Sequence, residues 1–324
     1  MSVLVVGAGV MGLAAATRLA EAGEEVTVVD RARGLGPEQC SWWAGGMLAP
    51  WCEGETAEPT VVELGRQAAD WWDARTGGIN RQGTLVLAAG RERGELRRFA
   101  RRTGGHEPVG ADAIARLEPD LAGRFPDGLF FAGEAHLDPR RALAALAERL
   151  RGQGVALRYG IDAANAPSAA LTVDCRGLAA RDRLPGLRGV RGEMMLVRTD
   201  EVRLSRPVRL LHPRHPLYVV PRADGVFMLG ATMIESDDRR GASARAVLEL
   251  LGSAYALHPA FAEAEVLEIG ADVRPAFPDN LPRVIREGDT IFANGLYRHG
   301  FLLAPAIAER VAGAALPRLT EMQT

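Results

Sequence analysis

The 324-residue chain contains no lysine, so all 39 of its basic residues are arginine. This absence excludes a Schiff-base lysine, a catalytic lysine and the phosphate-binding lysine of a P-loop. The formal net charge is only −2, which gives no electrostatic basis for binding nucleic acid or an anionic membrane surface. The sequence therefore predicts neither nucleic acid nor a membrane as a partner.

Cysteine is also scarce, at three residues. Three cysteines in a chain of this length do not make a disulfide framework, which favours a reducing compartment. No run of 18 or more uncharged apolar residues is present, so no transmembrane span is expected. The prediction is a cytoplasmic protein with one large domain or two closely packed ones.

The first 30 residues follow the pattern strand, glycine turn, helix, strand, acid. Val3–Val6 form a continuous apolar run, and Gly7, Gly9 and Gly12 then fit G-x-G-x-x-G. Gly7 permits a tight turn, Gly9 lets the backbone approach a pyrophosphate, and Gly12 allows close helix–strand packing. Asp30, which ends the second strand, is placed to accept hydrogen bonds from a ribose. This combination predicts a dinucleotide site.

The glycine motif does not by itself distinguish NAD from FAD. Asp30 argues against the 2′-phosphate of NADP, although Arg31 beside it leaves that point open. A second glycine turn, Asn294–Pro305, leads into a helix whose N-terminus would stabilise negative charge on a reduced flavin. The Tyr–Lys pair of many nicotinamide enzymes is excluded because lysine is absent. These features favour FAD.

Helix–strand alternation at both ends of the chain encloses a hairpin-rich middle, with Asp224-Gly225 as one turn. A helix with Asp138 as its N-cap and Pro139 in its first turn lies between them. We predict a fold of the α/β (α+β) class, with a Rossmann-like FAD-binding domain of discontinuous segments and an inserted, mostly antiparallel substrate-binding domain. The predicted FAD-binding segments are 1–80, 138–190 and 270–324, and the substrate-binding segments are 81–137 and 191–269.

The segment 40–55, CSWWAGGMLAPWCEGE, is too apolar for an ordinary surface loop and too rich in glycine and proline for a helix or strand. Cys40 and Cys52 are separated by eleven residues, with no nearby histidine or second cysteine pair, so no metal site is predicted. All five tryptophans lie between residues 42 and 72. They fit either the wall of a pocket or a surface for a partner.

Five stretches together resemble the D-amino-acid-oxidase superfamily of flavoproteins, and among its members the glycine oxidases of thiamine biosynthesis. The stretches are VVGAGVMGLAAATRLAEAG with Asp30, CSWWAGGMLAP, LYVVPRADGVFMLGATM, ADVRPAFPDNLPRV and GLYRHGFLLAPA. They occur in family order over nearly the whole chain. The chain departs from the family pattern in a compressed stretch at 155–175 and in the turn Asp174–Gly177.

The resemblance implies noncovalent FAD and oxidation of an amine next to a carboxylate. Tyr218, Arg274 and Arg298 would bind the carboxylate, with Met47, His215 and Met233 also in the substrate pocket. His215, in HPRHP, equally fits a solvated loop histidine. The residues implied in FAD binding are Gly7, Gly9, Val10, Met11, Gly12, Asp30, Arg31, Ser41, Ala44, Gly45, Gly46, Met47, Gly177, Arg298, Gly300, Phe301 and Leu302.

The chemistry implied is hydride transfer from the α carbon of a small amino acid, glycine first, to flavin N5. Molecular oxygen would reoxidise the flavin, and the imine would hydrolyse to glyoxylate with release of ammonia and hydrogen peroxide. The alternatives are a dehydrogenase or an oxidase of sarcosine, D-proline or other small D-amino acids, a flavin-binding protein without catalysis, and an NAD-dependent dehydrogenase. The sequence leaves a homo-oligomer open.

Overall fold

A computed structural model describes residues 1–316. Its strands are β1 (Ser2–Val6), β2 (Glu25–Asp30), β3 (Met47–Leu48), β4 (Thr84–Ala88), β5 (Glu107–Gly110), β6 (Asp127–Phe131), β7 (Ala135–His136), β8 (Ala156–Tyr159), β9 (Leu171–Asp174), β10 (Arg188–Arg198), β11 (Val208–Leu211), β12 (Leu217–Pro221), β13 (Val226–Gly230), β14 (Ile234–Glu235), β15 (Glu265–Ala276), β16 (Arg283–Glu287) and β17 (Thr290–Asn294). Its α-helices are α1 (Val10–Glu21), α2 (Pro50–Glu53), α3 (Pro59–Gly65), α4 (Ala68–Thr76), α5 (Arg93–Arg102), α6 (Ala111–Leu117), α7 (Pro139–Gly152), α8 (Ala244–Leu257) and α9 (Gly300–Ala315).

The first sheet has six strands in the order β16-β17-β9-β1-β2-β8. The pairs β1/β2, β1/β9, β9/β17 and β2/β8 are all parallel, and only β16 joins its neighbour antiparallel. The central strand β1 is apolar throughout Val3–Val6 because both of its faces are buried. Val3 and Val5 pack among the helices, and Leu4 and Val6 pack against the segment 161–169. Strands from the first 30 residues and from residues 283–294 therefore belong to the same sheet, with β9 between them.

The second sheet has nine strands, in the order β14-β10-β13-β12-β11-β4-β6-β5 with β15 paired to β10. All of its pairs are antiparallel except β11/β4. The predicted hairpin is present as β12 and β13, and its turn residues Asp224 and Gly225 have φ values of 59° and 67°. A turn of this type needs positive φ at both positions, which Asp-Gly tolerates. The parallel and antiparallel sheets confirm the predicted fold class.

Helices α1, α4, α7 and α9 cover the first sheet and bury Leu13, Trp72, Leu143 and Ile307. Helix α7 begins as predicted, because the Asp138 side chain accepts hydrogen bonds from the backbone N–H groups of Arg140 (2.9 Å) and Arg141 (3.2 Å). Within residues 1–316, no helix combines the length and the apolar composition that crossing a membrane requires.

The predicted domain boundaries can be placed on these sheets. Residues 1–80 supply β1 and β2, and residues 81–137 supply β4, β5 and β6 of the second sheet. The boundaries at 190/191 and 269/270, however, fall inside β10 and β15, and both of these strands lie wholly in the second sheet. A division that keeps each strand in one sheet would cut before residue 188 and after residue 276.

Candidate active site

A cavity of about 450 Å³ opens where the parallel strands of the first sheet end. Gly7 follows β1, Asp30 ends β2, Gly177 follows β9 and Asn294 ends β17, and all four residues line the cavity. Ligands of open α/β sheets bind at this edge because the loops and helix N-termini converge there. The second sheet closes the other side of the cavity through residues such as Arg274.

The glycine turn between β1 and α1 has no room for side chains at two positions. Gly7 has φ +105°, and a Cβ there would lie 2.6 Å from the carbonyl oxygen of Cys175. A Cβ on Gly12 would lie 1.7 Å from the carbonyl oxygen of Gly7. Gly12 itself packs against the turn and does not line the cavity. Both glycines thus have the tight-turn and close-packing roles that the sequence predicts.

Two helices point their N-termini at the cavity. Helix α1 starts at Val10 and α9 at Gly300, and a Cβ on Gly300 would lie only 3.3 Å from the Val10 side chain. The Ser41 hydroxyl oxygen accepts a hydrogen bond from the backbone N–H of Val10 at 2.9 Å. Its own proton remains available to a phosphate oxygen. The two positive helix ends and this hydroxyl suit a pyrophosphate.

Asp30 is more heavily used by the protein than the sequence predicts. Its carboxylate accepts hydrogen bonds from the backbone N–H groups of Ala8 (2.6 Å) and Ala32 (2.8 Å) and from the Gln39 side chain (3.1 Å). These bonds tie the end of β2 to the glycine turn. Any hydrogen bond to a ribose would use the remaining acceptor capacity of the same carboxylate, which has room for about four donors.

The glycine pair of the 40–55 loop makes room for protein atoms. A Cβ on Gly45 would lie 3.1 Å from Cε2 of the Tyr218 ring, and one on Gly230 would lie 2.6 Å from the same atom. Gly46 has φ +77°, and a Cβ there would lie 2.2 Å from the carbonyl oxygen of Leu137. The Tyr218 ring therefore packs closely against two glycines at the wall of the cavity.

The tryptophans are less concentrated on the cavity than a pocket wall would require. Trp43 lines it and packs so closely on Gly270 that a Cβ there would lie 2.0 Å from the indole. Trp42 instead lies under the Arg140 guanidinium, 4.4 Å from its ring centre. Trp72 is buried in the core, where its indole N–H donates to the Phe301 carbonyl at 2.8 Å.

Arg274 and Tyr218 face the same cavity from two strands of the second sheet. Among residues 1–316, the one hydrogen bond of the Arg274 guanidinium goes to the Thr232 carbonyl at 3.1 Å, and no carboxylate lies within 4.0 Å of it. Burial is the first cause that raises the pKa of Tyr218, whereas nearby Arg274 and Arg209 lower it. Arg274 thus retains donors for an anionic ligand, with a protonated phenol beside it.

Arg298 lines the cavity too, but it is already paired. One of its terminal nitrogens lies 2.9 Å from a carboxylate oxygen of Glu53 and donates to the Thr56 hydroxyl at 2.6 Å. The same carboxylate accepts a hydrogen bond from Arg209 and lies 3.3 Å from Nδ1 of His299. Sequence reasoning missed this cluster, because its members come from α2, β11 and the turn before α9.

The Glu53 cluster is buried, and its charges determine its protonation. Burial alone would raise the pKa of Glu53, but Arg298, Arg209 and His299 together hold it well below its usual range. Burial lowers the pKa of His299 to about 4, against the attraction of Glu53. At neutral pH the cluster therefore contains an ionised carboxylate, two guanidinium groups and a neutral imidazole.

The remaining predicted residues divide into two groups. His215 does not reach the cavity and lies on a loop, with Nδ1 3.5 Å from Glu249. Met233 is 52% exposed, and its sulfur lies 3.2 Å from the Tyr297 hydroxyl at the edge of the site. The other predicted residues that line the cavity are Gly9, Val10, Met11, Arg31, Ser41, Ala44, Gly45, Gly46, Met47, Gly300, Phe301 and Leu302.

The cysteines of the 40–55 loop lie in different surroundings. Cys40 lines the cavity, whereas Cys52 is buried in an apolar cluster with Ala49 and Phe99.

We expect the double substitution Cys40→Ser and Cys52→Ser to keep FAD content and turnover within about twofold of the wild type, because neither thiol is needed to hold a ligand. Absorbance at the flavin band per protein measures this, and a large loss of flavin would contradict it.

Two buried histidines predict an acid-labile fold. Burial lowers the pKa of both His136 and His299 to about 4, whereas an unfolded chain titrates near the ordinary 6.5. The unfolded state therefore binds more protons between these values, and stability is lost as the pH falls through this window, by up to about 3 kcal/mol per histidine. Melting temperature measured from pH 7 to 4.5 should fall less steeply in His136→Gln than in the wild type or in the loop variant His215→Gln.

The cavity fits a flavin dinucleotide on several independent points. It has a glycine turn that leaves no space for Cβ atoms, two helix N-termini beside a free hydroxyl, and an elongated lining from Asp30 to Arg274. The sequence profile of the DAO family of FAD-dependent oxidoreductases matches residues 2–314. The chain belongs to this family, and the FAD prediction is confirmed.

The chain is also similar to individual proteins over almost its whole length. It is 60% identical over 313 residues to a Rhizobium etli protein provisionally named thiamine biosynthesis oxidoreductase ThiO, with 96% of this chain and 95% of that protein covered. It is 27% identical to the glycine oxidase of Pseudomonas aeruginosa, with 96% and 93% covered. The glycine oxidase structure from Geobacillus kaustophilus superposes with a TM-score of 0.80 at 23% identity, covering 98% and 95%.

Proposed function

We propose that the protein oxidises glycine and other small amino acids to an imine, with molecular oxygen as the electron acceptor. Hydrolysis of the imine would give glyoxylate and ammonia, and oxygen would leave as hydrogen peroxide. The observation that carries the proposal is the cavity itself, with a glycine turn at one end and the unpaired guanidinium of Arg274 beside Tyr218 at the other. That pair suits a substrate that carries a carboxylate.

The side chains of the site would act by holding the substrate. Arg274 binds the carboxylate and Tyr218 adds a hydroxyl donor, which fixes the direction of the α-carbon C–H bond. When bound, FAD supplies the two-electron chemistry and returns the electrons to oxygen. Glu53 is a poor base because its pKa lies well below the usual range, so the amine is expected to bind in its neutral form.

The similarity to ThiO supports a place for this reaction in the thiazole branch of thiamine biosynthesis. The identity of 60% extends over 313 residues and both chains are covered almost completely. The glycine oxidase of Pseudomonas aeruginosa supports glycine as the leading substrate, at 27% identity. Sarcosine and small D-amino acids are the alternatives that a substrate panel separates.

We further propose that FAD is held without a covalent bond. Cys40 and Cys175 line the cavity. Burial, followed by the Asp272 carboxylate, raises the pKa of Cys40 to about 12. Burial, followed by Asp174, raises the pKa of Cys175 as well. Both thiols stay protonated at neutral pH and are weak nucleophiles. Acid precipitation should release the yellow cofactor into the supernatant.

The test of the function is reduction of the bound flavin in the absence of oxygen. We expect glycine to bleach the flavin absorbance, and sarcosine and D-alanine to do so at different rates. Admitting air should restore the colour and yield one hydrogen peroxide per substrate. Bleaching without peroxide would point to a dehydrogenase, and a flavin that no amino acid reduces would overturn the proposal.

A further inference from the structure

The two arginines at the substrate end of the cavity differ in whether a carboxylate of the protein pairs with them. Arg274 has a single hydrogen bond, to a backbone carbonyl, among the described residues. Arg298 makes a 2.9 Å ion pair with Glu53 and a 2.6 Å hydrogen bond to Thr56, and its other terminal nitrogen lies 3.5 Å from the Met233 sulfur. One guanidinium is therefore open to a ligand, and the other is already paired with a carboxylate of the protein.

The carboxylate that pairs with Arg298 is itself part of the cavity wall. Glu53 is 8% exposed, lines the cavity, and ends the short helix α2 directly after the 40–49 loop. It is shared with Arg209, whose side chain is 15% exposed. A buried carboxylate between two guanidinium groups is held in place from both sides, because moving it would leave either charge without a partner.

This arrangement has a consequence for substrates with two carboxylates. A first carboxylate can pair with Arg274, but a second one approaching Arg298 would meet the negative charge of Glu53 at the same guanidinium. In a partly buried site, repulsion between two carboxylates that share one guanidinium lowers the affinity for the ligand several-fold or more. Without Glu53, the same arginine would attract the second carboxylate.

We propose that Glu53 is a specificity-determining residue that occupies the guanidinium of Arg298 and so restricts the pocket to ligands with a single carboxylate. The inference rests on the proposed function in one respect, namely that the ligand of this pocket carries a carboxylate. Glu53 acts through Arg298 and is a positioning residue, which distinguishes its role from the direct contact assigned to Arg274.

The experiment compares matched anions with one and two carboxylates on the FAD-loaded protein. Acetate and malonate are titrated into wild type and Glu53→Gln, and dissociation constants are read from the change in flavin absorbance. We expect the wild type to prefer acetate and the variant to shift the ratio towards malonate by about tenfold or more, which corresponds to about 1.4 kcal/mol. Turnover of D-aspartate relative to D-alanine should shift in the same direction.

Two further variants distinguish this role from a general loss of folding or of buried charge. Glu134→Gln removes another buried carboxylate, which accepts from the Cys52 backbone N–H at 2.7 Å, and should leave the anion ratio at the wild-type value. The double variant Glu53→Gln with Arg209→Gln removes one charge of each sign while still releasing Arg298. It should keep the gain for malonate and also keeps the test available if Glu53→Gln alone folds poorly.

The outcomes are distinct from those of the functional test. An unchanged malonate-to-acetate ratio in both Glu53 variants, with FAD bound, would overturn the role of Glu53 whatever the enzyme oxidises. A ratio that shifts equally in Glu134→Gln would also overturn it. Failure of the proposed function appears instead as a wild-type flavin that no amino acid bleaches, and the anion titration remains readable in that case.

Discussion

Gly12→Ala is expected to give a protein that purifies without yellow colour. The added methyl group would lie 1.7 Å from the carbonyl oxygen of Gly7, which is backbone and has no room to move without opening the turn. Displacing α1 from β1 also moves the helix N-terminus that would face the pyrophosphate. We expect FAD affinity to fall by at least tenfold, about 1.4 kcal/mol, as measured by flavin absorbance per protein and by titration with added FAD.

A second helical glycine provides the matched control. Gly313 lies in α9, and a Cβ there would meet no atom within 4 Å. Gly313→Ala should therefore retain full FAD content, with a melting temperature equal to or slightly above that of the wild type, since alanine favours a helix by about 1 kcal/mol. A yellow Gly12→Ala protein with normal FAD affinity would show that the glycine turn is not essential to the cofactor site.

Arg274→Gln should cause the largest loss of catalytic efficiency among variants that still bind FAD. Its guanidinium has one protein hydrogen bond and supplies the free positive charge that the proposal assigns to the substrate carboxylate. Removing a charged partner of this kind costs about 3 kcal/mol, or roughly 100-fold, mainly as a higher KM. Steady-state peroxide release at varied glycine concentrations measures this.

The control for Arg274 is an arginine of the surface. Arg91 has a side chain that is 81% exposed, and within residues 1–316 it forms an ion pair only with its neighbour Glu92. Arg91→Gln should leave both KM and kcat within about twofold of the wild type, as surface pairs contribute little. If Arg274→Gln instead kept its KM for glycine while losing FAD, the arginine would serve the cofactor and the assignment to the substrate would be wrong.

Structural elements that depend on local sequence patterns were predicted correctly. The glycine turn, the Asp138 cap of α7 and the Asp224-Gly225 hairpin each depend on residues within a few positions of one another, so spacing alone predicts them. The same holds for the family, because its motifs carry the conformations that the cofactor site needs. Proximity in sequence was enough to predict these elements.

Contacts between segments that are distant in the chain could not be predicted from the sequence. The pairing of Glu53 with Arg298 joins positions 245 residues apart, and nothing in either neighbourhood signals it. Gly192 is a feature of the sequence that could have indicated a close contact in the site, because a Cβ there would lie 2.0 Å from the Arg274 guanidinium. A glycine within a long strand often marks a place where another group crosses closely, but the sequence does not say which group.

The contact between the beginnings of α1 and α9 has a consequence for the order in which the site forms during synthesis. Gly300 is synthesised 290 residues after Val10, yet the two lie against each other at the cavity. Strand β17, at residues 290–294, likewise pairs with β9 only after more than 100 further residues have been made. The cavity is therefore incomplete until β17 and α9 have been made, and a nascent protein stalled before residue 290 should bind no FAD.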